Sequence, residues 1–245
     1  MSTFTFNTTP SVRMGVGLAQ KLGDIAGPVC GENILFVTDP GMVATGLVEK
    51  AVSVLVGAGL KVTVFDKVQA DPPEAIIQSA AEMARAASGV VGFGGGSSLD
   101  VAKLAALLAA SGQPLEEAFG IGNATGPRLP LVLVPTTSGT GSEVTPISIV
   151  TMGTSEKMGV VSPLILPDVA VLDPELTLGL PAHVTAATGM DAMVHAIEAY
   201  ASANPNNNPI SRTLAVEALR LMGQVLKRAV DTPTDIEARS DMMSV

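Results

Sequence analysis

Apolar and polar positions along the first 180 residues follow a pattern that predicts β-strands separated by helices. Four short runs are apolar on both faces of a strand, and stretches with helical periodicity lie between them. The runs are NILFVTD (33–39), KVTVFD (61–66), GVVGFGGG (89–96) and LPLVLVPTT (129–137). Because such strands are buried on both faces, they indicate a parallel sheet covered by helices on both sides, and hence an α/β fold.

The pattern changes after residue 137. Two short apolar runs flank the turn GTSE (153–156) and predict a β-hairpin, and one further strand follows. From Pro181 onward the sequence shows only helical periodicity. The predicted elements are strands 147–152, 157–162 and 169–174, and helices 182–202, 209–230 and one beginning near Thr234. We therefore expect an α/β domain over 1–180 and the start of an all-helical domain over 181–245.

Composition limits the classes of partner. The 23 acidic residues exceed the 14 Lys and Arg, and no basic patch is present to attract nucleic acid or an anionic membrane. The N-terminus lacks the regions of a signal peptide, and the longest apolar helical run, VAKLAALLAA, is too short to cross a bilayer. The single cysteine, Cys30, excludes an internal disulfide and suits a reducing compartment. We expect a cytoplasmic protein in which the Cys30 thiol is inert.

A glycine-rich stretch, GFGGGSSLD (92–100), joins a predicted strand to a predicted helix. Glycines let backbone amides approach a phosphate, and the N-terminus of the following helix adds partial positive charge. Ser97 and Asp100 also fit a helix-capping box, which needs no ligand. Three consecutive glycines exceed what a cap requires, so the stretch favours phosphate binding. It departs from the G-x-G-x-x-G dinucleotide fingerprint, because Ser97 replaces the third glycine.

Asp39 ends the run NILFVTD, at the carboxyl end of a predicted strand. Ligands of open α/β sheets bind beyond the carboxyl ends of the strands. A carboxylate there accepts both hydroxyls of an adenosine ribose and repels a 2′-phosphate, which favours NAD over NADP. By itself, Asp39 is better explained as an aspartate that starts a turn before Pro40 and Gly41.

A second polar loop, PTTSGTGSEVT (135–145), follows another apolar strand. Its hydroxyls and two glycines form a surface that can hold a diphosphate or a ribose without a cation. An ordinary polar loop explains this stretch equally well when it is taken alone. Two such loops at neighbouring strand ends together favour a nucleotide-binding crevice. The hydroxyl side chains belong to Thr136, Thr137, Ser138, Thr140, Ser142 and Thr145.

The stretch TGMDAMVHAIEAY (188–200) places Asp191, His195 and Glu198 on one stripe of a predicted helix. Side chains four residues apart on a helix are neighbours, and a carboxylate with an imidazole suits Zn²⁺ or Fe²⁺. Taken alone, this spacing fits a solvated surface pair better than a metal site. The only other histidine, His183, lies at the start of the same helix and is interpreted as a surface residue.

Together these stretches resemble the iron-containing (group III) alcohol dehydrogenases, which are related to glycerol dehydrogenase and dehydroquinate synthase. Five segments carry the resemblance, in the family's order and over nearly the whole sequence. They are FVTDPGM (36–42), GGGSSLDVAK (94–103), PTTSGTGSEVT (135–145), LPDVAVLDPELTLGLP (166–181) and TGMDAMVHAIEAY (188–200). The resemblance implies a Rossmann-like parallel-sheet domain that binds NAD(P), a helical metal-binding domain, and catalysis in the cleft between them.

The resemblance also implies roles for individual residues. Asp39 matches the family's contact to the adenosine ribose, while Lys157 and Leu176 match further cofactor contacts. Asp191 and His195 match the first two metal ligands, so a site for Fe²⁺ or Zn²⁺ becomes the preferred interpretation of this pair. The full set of candidate cofactor contacts is Asp39, Gly95, Gly96, Ser97, Asp100, Thr136, Thr137, Ser142, Thr145, Lys157 and Leu176.

The sequence departs from the family pattern near its end. The family completes its metal site with two later histidines, and no histidine follows His195 here. The third predicted helix runs to Val245 without a capping glycine or a polar tail. We therefore expect the N-terminal two-thirds of a longer enzyme, and we expect these 245 residues alone to bind metal poorly and to turn over little.

In the complete enzyme, the resemblance implies hydride transfer between a small alcohol and NAD, with the metal activating the alcohol oxygen or polarising the carbonyl. A small alcohol or aldehyde is the expected substrate, and a homodimer is the expected assembly. No side chain is assigned as a general base. Two alternatives stay open: a chain that binds nucleotide without catalysis, and a lyase or synthase acting on a sugar phosphate. The latter would need clustered Lys and Arg, whereas 135–200 holds only Lys157.

Overall fold

Nine strands and nine α-helices form within residues 3–153 and 155–245, the part of the chain that the computed structural model describes. The strands are β1 (Ser11–Met14), β2 (Asn33–Val37), β3 (Lys61–Phe65), β4 (Gly89–Gly94), β5 (Gly120–Ile121), β6 (Leu131–Pro135), β7 (Ile147–Met152), β8 (Glu156–Val161) and β9 (Val169–Leu172). The helices are α1 (Leu22–Cys30), α2 (Pro40–Ala44), α3 (Leu47–Gly57), α4 (Glu74–Ala84), α5 (Gly96–Ser111), α6 (Leu115–Ala118), α7 (Ala182–Ala201), α8 (Pro209–Asp231) and α9 (Ile236–Met243).

Six strands form one parallel sheet in the order β1-β9-β6-β4-β2-β3. The five strands of this sheet that the sequence predicts are confirmed, and β1 is an addition that pairs with β9 at the edge. The strand order reverses at β2, because β3 lies on one side of it and β4 on the other. Such a reversal opens a crevice at the carboxyl ends of the two diverging strands, which is where open α/β sheets bind ligands.

Side chains along each central strand alternate between two cores. In β2, Leu35 and Val37 belong to a cluster shared with α4 and α5, whereas Ile34 and Phe36 belong to a cluster shared with α1 and α3. The Phe36 ring also packs against the ring of Phe93 on β4, with centroids 5.4 Å apart. The sheet is therefore buried on both faces, as the apolar runs predict.

Helix α5 lies deep in the protein, and its N-terminus lies at the carboxyl end of β4. Every residue from Ser98 to Leu108 is buried. The helix packs closely on β4, since a Cβ added to Gly92 would lie 2.7 Å from the Cβ of Ala102. Because α5 is tightly packed on its neighbours, its first turn keeps a fixed position at the carboxyl end of β4.

The remaining elements form two smaller units. Strands β7 and β8 form the predicted antiparallel hairpin, to which β5 adds; Thr154 of the predicted turn lies outside the described residues. The three predicted helices are confirmed as α7, α8 and α9, and Met222, Val225, Ala229 and Met242 contribute to their shared core. In the described part of the chain, no helix has both the length and the apolar surface needed to cross a membrane.

Candidate functional site

The glycine-rich stretch forms the junction between β4 and α5. Gly94 adopts a φ of +147°, and a Cβ there would lie 2.8 Å from the hydroxyl oxygen of Ser98. Gly95 is the N-cap of α5, and no side chain among the described residues caps the helix. The capping box of Ser97 and Asp100 is therefore not formed. Amides in the first turn of a helix have no partner within the helix, so this end suits an anionic group such as a diphosphate.

Asp39 lies beside this junction, just after the end of β2, and a Cβ on Gly94 would lie 3.1 Å from its carboxylate. One carboxylate oxygen accepts a hydrogen bond from the amide of Met42 at 3.0 Å, and the other accepts one from the Ser98 hydroxyl at 3.1 Å. Asp39 therefore also has the local structural role that the sequence suggests, because it is the N-cap of α2. Each carboxylate oxygen can accept more than one hydrogen bond, so Asp39 retains capacity for a ribose hydroxyl.

The polar loop 135–145, named the hydroxyl loop from here on, contacts both the glycine-rich stretch and α7. A Cβ on Gly96 would lie 2.9 Å from the side chain of Thr140, so the two loops touch. A Cβ on Gly139 would lie 2.5 Å from the carbonyl oxygen of Thr188, which is one turn before Asp191. Because Gly139 has no Cβ, the hydroxyl loop can pack directly against α7, the helix that carries the predicted metal ligands.

These elements surround a cavity of about 880 Å³. Its wall includes seven residues that the sequence predicts as cofactor contacts or metal ligands: Gly96, Ser97, Asp100, Ser142, Thr145, Lys157 and His195. The structure thus brings together residues that are up to about 100 positions apart in the sequence. Thr140, one of the hydroxyl side chains of the polar loop, also lines this wall, whereas sequence reasoning missed Asp71, Pro72, Ile147, Ile149, Ala199 and Ser202.

Five predicted cofactor contacts do not line this cavity. The hydroxyl of Thr136 is buried and donates to the sulfur of Met42 at 3.4 Å. Thr137 lines a neighbouring cavity of about 400 Å³, which shares Thr140, Thr145 and His195 with the first. Leu176 lines a separate cavity of about 250 Å³ with Phe93. Asp39 and Gly95, described above, complete the placement of the predicted contacts.

Lys157 is the cation on the wall of the larger cavity, and its ammonium pairs with the carboxylate of Asp71. Both side chains are substantially exposed, so the pair contributes little to stability. Asp71 holds a left-handed backbone conformation, with a φ of +53°. The pair places one lysine at the mouth of the cavity, opposite the N-terminus of α5.

Asp191 and His195 face each other on α7. The distance from Asp191 Oδ1 to His195 Nε2 is 3.7 Å, and both side chains are about half exposed. Two atoms that each bind one Zn²⁺ ion at about 2.0–2.2 Å are at most about 4.4 Å apart, so the pair fits one ion. Within residues 3–153 and 155–245, no group of three or more His, Cys, Asp or Glu side chains could hold a metal. The pair therefore fits part of a metal site, and Glu198 does not add a third ligand.

Cys30 does not belong to this site. Its thiol is 1% exposed, and burial raises its pKa to about 12. Because the thiolate is the reactive form, the Cys30 thiol is inert near neutral pH, as the sequence analysis expects.

Comparison with known proteins gives this arrangement a family. The profile described as iron-containing alcohol dehydrogenase matches residues 9–174, and the profile of the C-terminal region of the Fe-containing alcohol dehydrogenase family matches residues 185–245. The chain belongs to the iron-containing alcohol dehydrogenase family. The matches cover both predicted nucleotide loops and the helix with Asp191 and His195.

Individual relatives agree with this assignment. Long-chain-alcohol dehydrogenase 1 of Geobacillus thermodenitrificans is 42% identical over 241 residues, which are 95% of this chain and 60% of that protein. The crystal structure of a 1,3-propanediol oxidoreductase aligns with a TM-score of 0.94 at 35% identity, covering 99% of this chain and 64% of the other. Sulfoacetaldehyde reductase from Bifidobacterium kashiwanohense, solved with NAD⁺, aligns with a TM-score of 0.89 at 34% identity, covering 98% and 64%.

This member of the iron-containing alcohol dehydrogenase family thus spans about three-fifths of the length of the relative compared by sequence. The likeness to the two solved structures extends over nearly all of this chain, so the α/β fold with its following helices is that of the family.

Proposed function

We propose that the whole protein is an NAD-dependent alcohol dehydrogenase that interconverts a small alcohol and its aldehyde or ketone with the help of a divalent metal. The observation that carries the proposal is the 880 Å³ cavity, because its wall combines the uncapped N-terminus of α5, the hydroxyl loop and His195. A cofactor whose diphosphate lies on α5 would have its other end within reach of α7. Membership of the family supports the same chemistry.

In this proposal the cofactor is NAD, held by the residues of the two loops. The amides after Gly95 would donate hydrogen bonds to the diphosphate, and the carboxylate of Asp39 would accept hydrogen bonds from the hydroxyls of the adenosine ribose. Ser142 and Thr145 offer hydroxyls and Lys157 offers an ammonium to the part of the cofactor inside the cavity. Of the remaining candidates, Gly96, Ser97 and Asp100 line the same cavity and Thr137 lines the neighbouring one, whereas Thr136 and Leu176 lie outside both.

Asp191 and His195 would hold the metal, Fe²⁺ or Zn²⁺, together with donors that the described residues do not provide. When bound, such a cation supplies a Lewis acid for the alcohol or carbonyl oxygen. The chain itself aligns the reactants: α5 fixes the cofactor, and the contact of Gly139 with Thr188 fixes the distance from the cofactor loop to α7. NAD, when bound, would supply the acceptor for the hydride of the carbinol carbon, and the hydroxyl proton would leave to solvent.

The proposal is tested by mixing the purified whole protein with NAD and a series of primary alcohols, polyols and hydroxy acids, and following NADH by absorbance. We expect turnover that a chelator abolishes and that Fe²⁺ or Zn²⁺ restores. Metal analysis of the isolated protein would identify the ion. Absence of bound metal together with absence of turnover on every alcohol would refute the proposal.

Cofactor selectivity gives a separate prediction at Asp39. Replacing Asp39 with serine retains a good helix N-cap but removes the negative charge that a 2′-phosphate would meet. We expect the Kd ratio of NADP to NAD to fall by about tenfold to a hundredfold, corresponding to about 1.4–2.8 kcal/mol. Titration calorimetry with both cofactors measures the ratio. Asp24→Ser, on α1, serves as the control, and an unchanged ratio in Asp39→Ser would place the adenosine ribose elsewhere.

A second candidate function is nucleotide binding without catalysis. The two-residue donor set favours it, because Asp191 and His195 are the metal-binding pair that the described residues supply. Calorimetry with NAD and metal on the whole protein, together with the activity assay, separates the two: binding of NAD with neither metal binding nor turnover supports this candidate. A synthase acting on a sugar phosphate is disfavoured, since Lys157 on the cavity wall is already paired with Asp71.

Three wider properties are part of the same proposal. The boundary between the α/β and the helical domain lies near residue 180, which the ends of the two profile matches at 174 and 185 support. We propose a cytoplasmic homodimer, and the excess of 23 acidic over 14 basic residues supports the further expectation that neither nucleic acid nor anionic membranes are partners. Sedimentation of the purified protein and fractionation of cells would test the assembly and the location.

A further inference from the structure

Arg239, in the first turn of α9, carries a charge into the interior of the helical region. The residue is 2% exposed, and burial lowers the pKa of its guanidinium. No carboxylate among the described residues pairs with it, and its buried Nη2 meets no acceptor there. Removing a charge from water is costly, and an apolar side chain of similar size often serves equally well in a core. Packing alone therefore does not explain an arginine at this position.

Hydrogen bonds of Arg239 connect α9 to α7, the helix with the predicted metal ligands. Nη1 donates to the hydroxyl oxygen of Thr185 at 2.7 Å, and Nε donates to the carbonyl oxygen of Pro233 at 3.2 Å. Thr185 is fully buried, and its own hydroxyl donates to the carbonyl oxygen of Pro181 at 3.3 Å. Arg239 thus links the first turn of α7 to the segment between α8 and α9.

The buried face of α7 consists of small residues. They recur at helical spacing on one side, namely Thr185, Gly189, Ala192 and Ala196. A Cβ on Gly189 would lie 2.4 Å from Leu226 Cδ1 and 3.1 Å from Met242 Cε, so the helices approach closely there. Small side chains allow this approach, but they form only low ridges that resist sliding of one helix along another weakly. The buried, directional hydrogen bond from Arg239 resists such a shift.

A metal ion tolerates little displacement of its ligands. Asp191 follows Thr185 by six residues, which corresponds to about 9 Å along the same helix. A movement of the first turn of α7 along its axis is therefore carried to Asp191 and His195. Ligand distances in metal sites vary by only about 0.2 Å, so a shift of about 1 Å is several times this tolerance.

We propose that Arg239 is a positioning residue that fixes the location of α7, and with it the pair of Asp191 and His195, through its hydrogen bond to Thr185. The inference rests on the proposed function, since it assumes that this pair binds a divalent metal. Arg239 lines neither of the two cavities that include His195, so it acts through α7 and not on a ligand. Setting the register of neighbouring elements is the best-attested use of a buried polar group.

The test uses the whole protein, stripped of metal, with Co²⁺ as the probe. We expect Arg239→Met to raise the Kd for Co²⁺ by about tenfold to a hundredfold, as substitutions behind metal ligands do. The visible absorption bands of the bound ion should also shift, because they depend on the arrangement of the ligands and not on the stability of the fold. Thr185→Val, which removes the accepting hydroxyl, should have the same effect. The double variant should lose no more affinity than either single one, because both changes remove the same bond.

Two further variants serve as controls. Thr185→Ser retains the hydroxyl and should leave the Kd within about threefold. Val225→Ala removes two methyl groups from the core shared by α7, α8 and α9 without breaking the bond to Thr185. It should lower the melting temperature but leave the Kd and the absorption bands unchanged.

An unchanged Kd in folded Arg239→Met or Thr185→Val, or an equal loss in Val225→Ala, would overturn the inference and leave the proposed function intact. Failure of the unsubstituted protein to bind Co²⁺ would overturn both. If neither Arg239→Met nor Thr185→Val folds, the unsubstituted protein still decides the question, because Co²⁺ should slow hydrogen exchange at the amides of Thr185 and Arg239. Exchange at an unaltered rate would contradict the inference.

Discussion

Replacing His195 with alanine is expected to remove the metal from the whole protein and to lower kcat by about a thousandfold. The imidazole is one of two donors that α7 supplies, and it faces Asp191 at 3.7 Å. Loss of a Lewis acid that stabilises several kcal/mol of transition-state charge corresponds to a factor of this size. Asp191→Asn, which keeps the shape but removes the charge, should lower metal content and kcat in the same direction. Metal analysis and steady-state kinetics measure both effects.

Glu198→Gln provides the matched control. Glu198 lies on the same helix and on the wall of the same cavity, one turn beyond His195, but it is not expected to bind the metal. Its substitution should leave metal content unchanged and kcat within about threefold. The affinity for NAD should be nearly unchanged in all three variants, because the cofactor loops lie on other elements. Full metal content in His195→Ala would show that the ion is held elsewhere.

The second large effect is expected from Gly139→Val. Because the atom that a Cβ would meet at 2.5 Å is the backbone oxygen of Thr188, no side-chain rotation can relieve the clash. Either the hydroxyl loop or α7 has to move, and overpacking of this kind costs about 1–3 kcal/mol of stability. A displacement of about 1 Å between cofactor and metal ligands can lower kcat by about a hundredfold. We expect a lower melting temperature, weaker NAD binding and a loss of kcat in the same variant.

Gly223→Ala is the control for this substitution. Gly223 lies within α8, and a Cβ there would meet no atom within 4 Å. Alanine is favoured over glycine in a helix interior by about 1 kcal/mol, so this variant should be more stable, with unchanged kinetics. If Gly139→Val retained full activity and NAD affinity, the contact between the loop and α7 would not set the geometry of the site.

Much of the fold is predictable because the central strands are buried on both faces. Runs such as ILFV (34–37) and LVLVP (131–135) are apolar at every position, and the helices between them show clear periodicity. Strand β1 escapes prediction because Ser11–Met14 is short and largely exposed at the sheet edge. The order of the strands, and hence the crevice at β2, is a property of tertiary pairing that local patterns do not encode.

The sequence predicts the individual segments of the site, but it does not predict how they come together. The glycine-rich stretch and the hydroxyl loop are visible because glycines and hydroxyls are concentrated at strand ends. Asp71 is not visible, because its partner Lys157 is distant in sequence.

The complete burial of α5 has a consequence for the thermodynamics of cofactor binding. A loop that continues into a helix covered on every side from Ser98 to Leu108 has few alternative conformations before the ligand arrives. Little conformational entropy is then lost when a diphosphate settles on its amides, so more of the interaction energy appears as affinity. Rearrangement on binding would instead involve the exposed side chains of Lys157 and Asp71, because Lys157 would have to leave Asp71 in order to contact the cofactor.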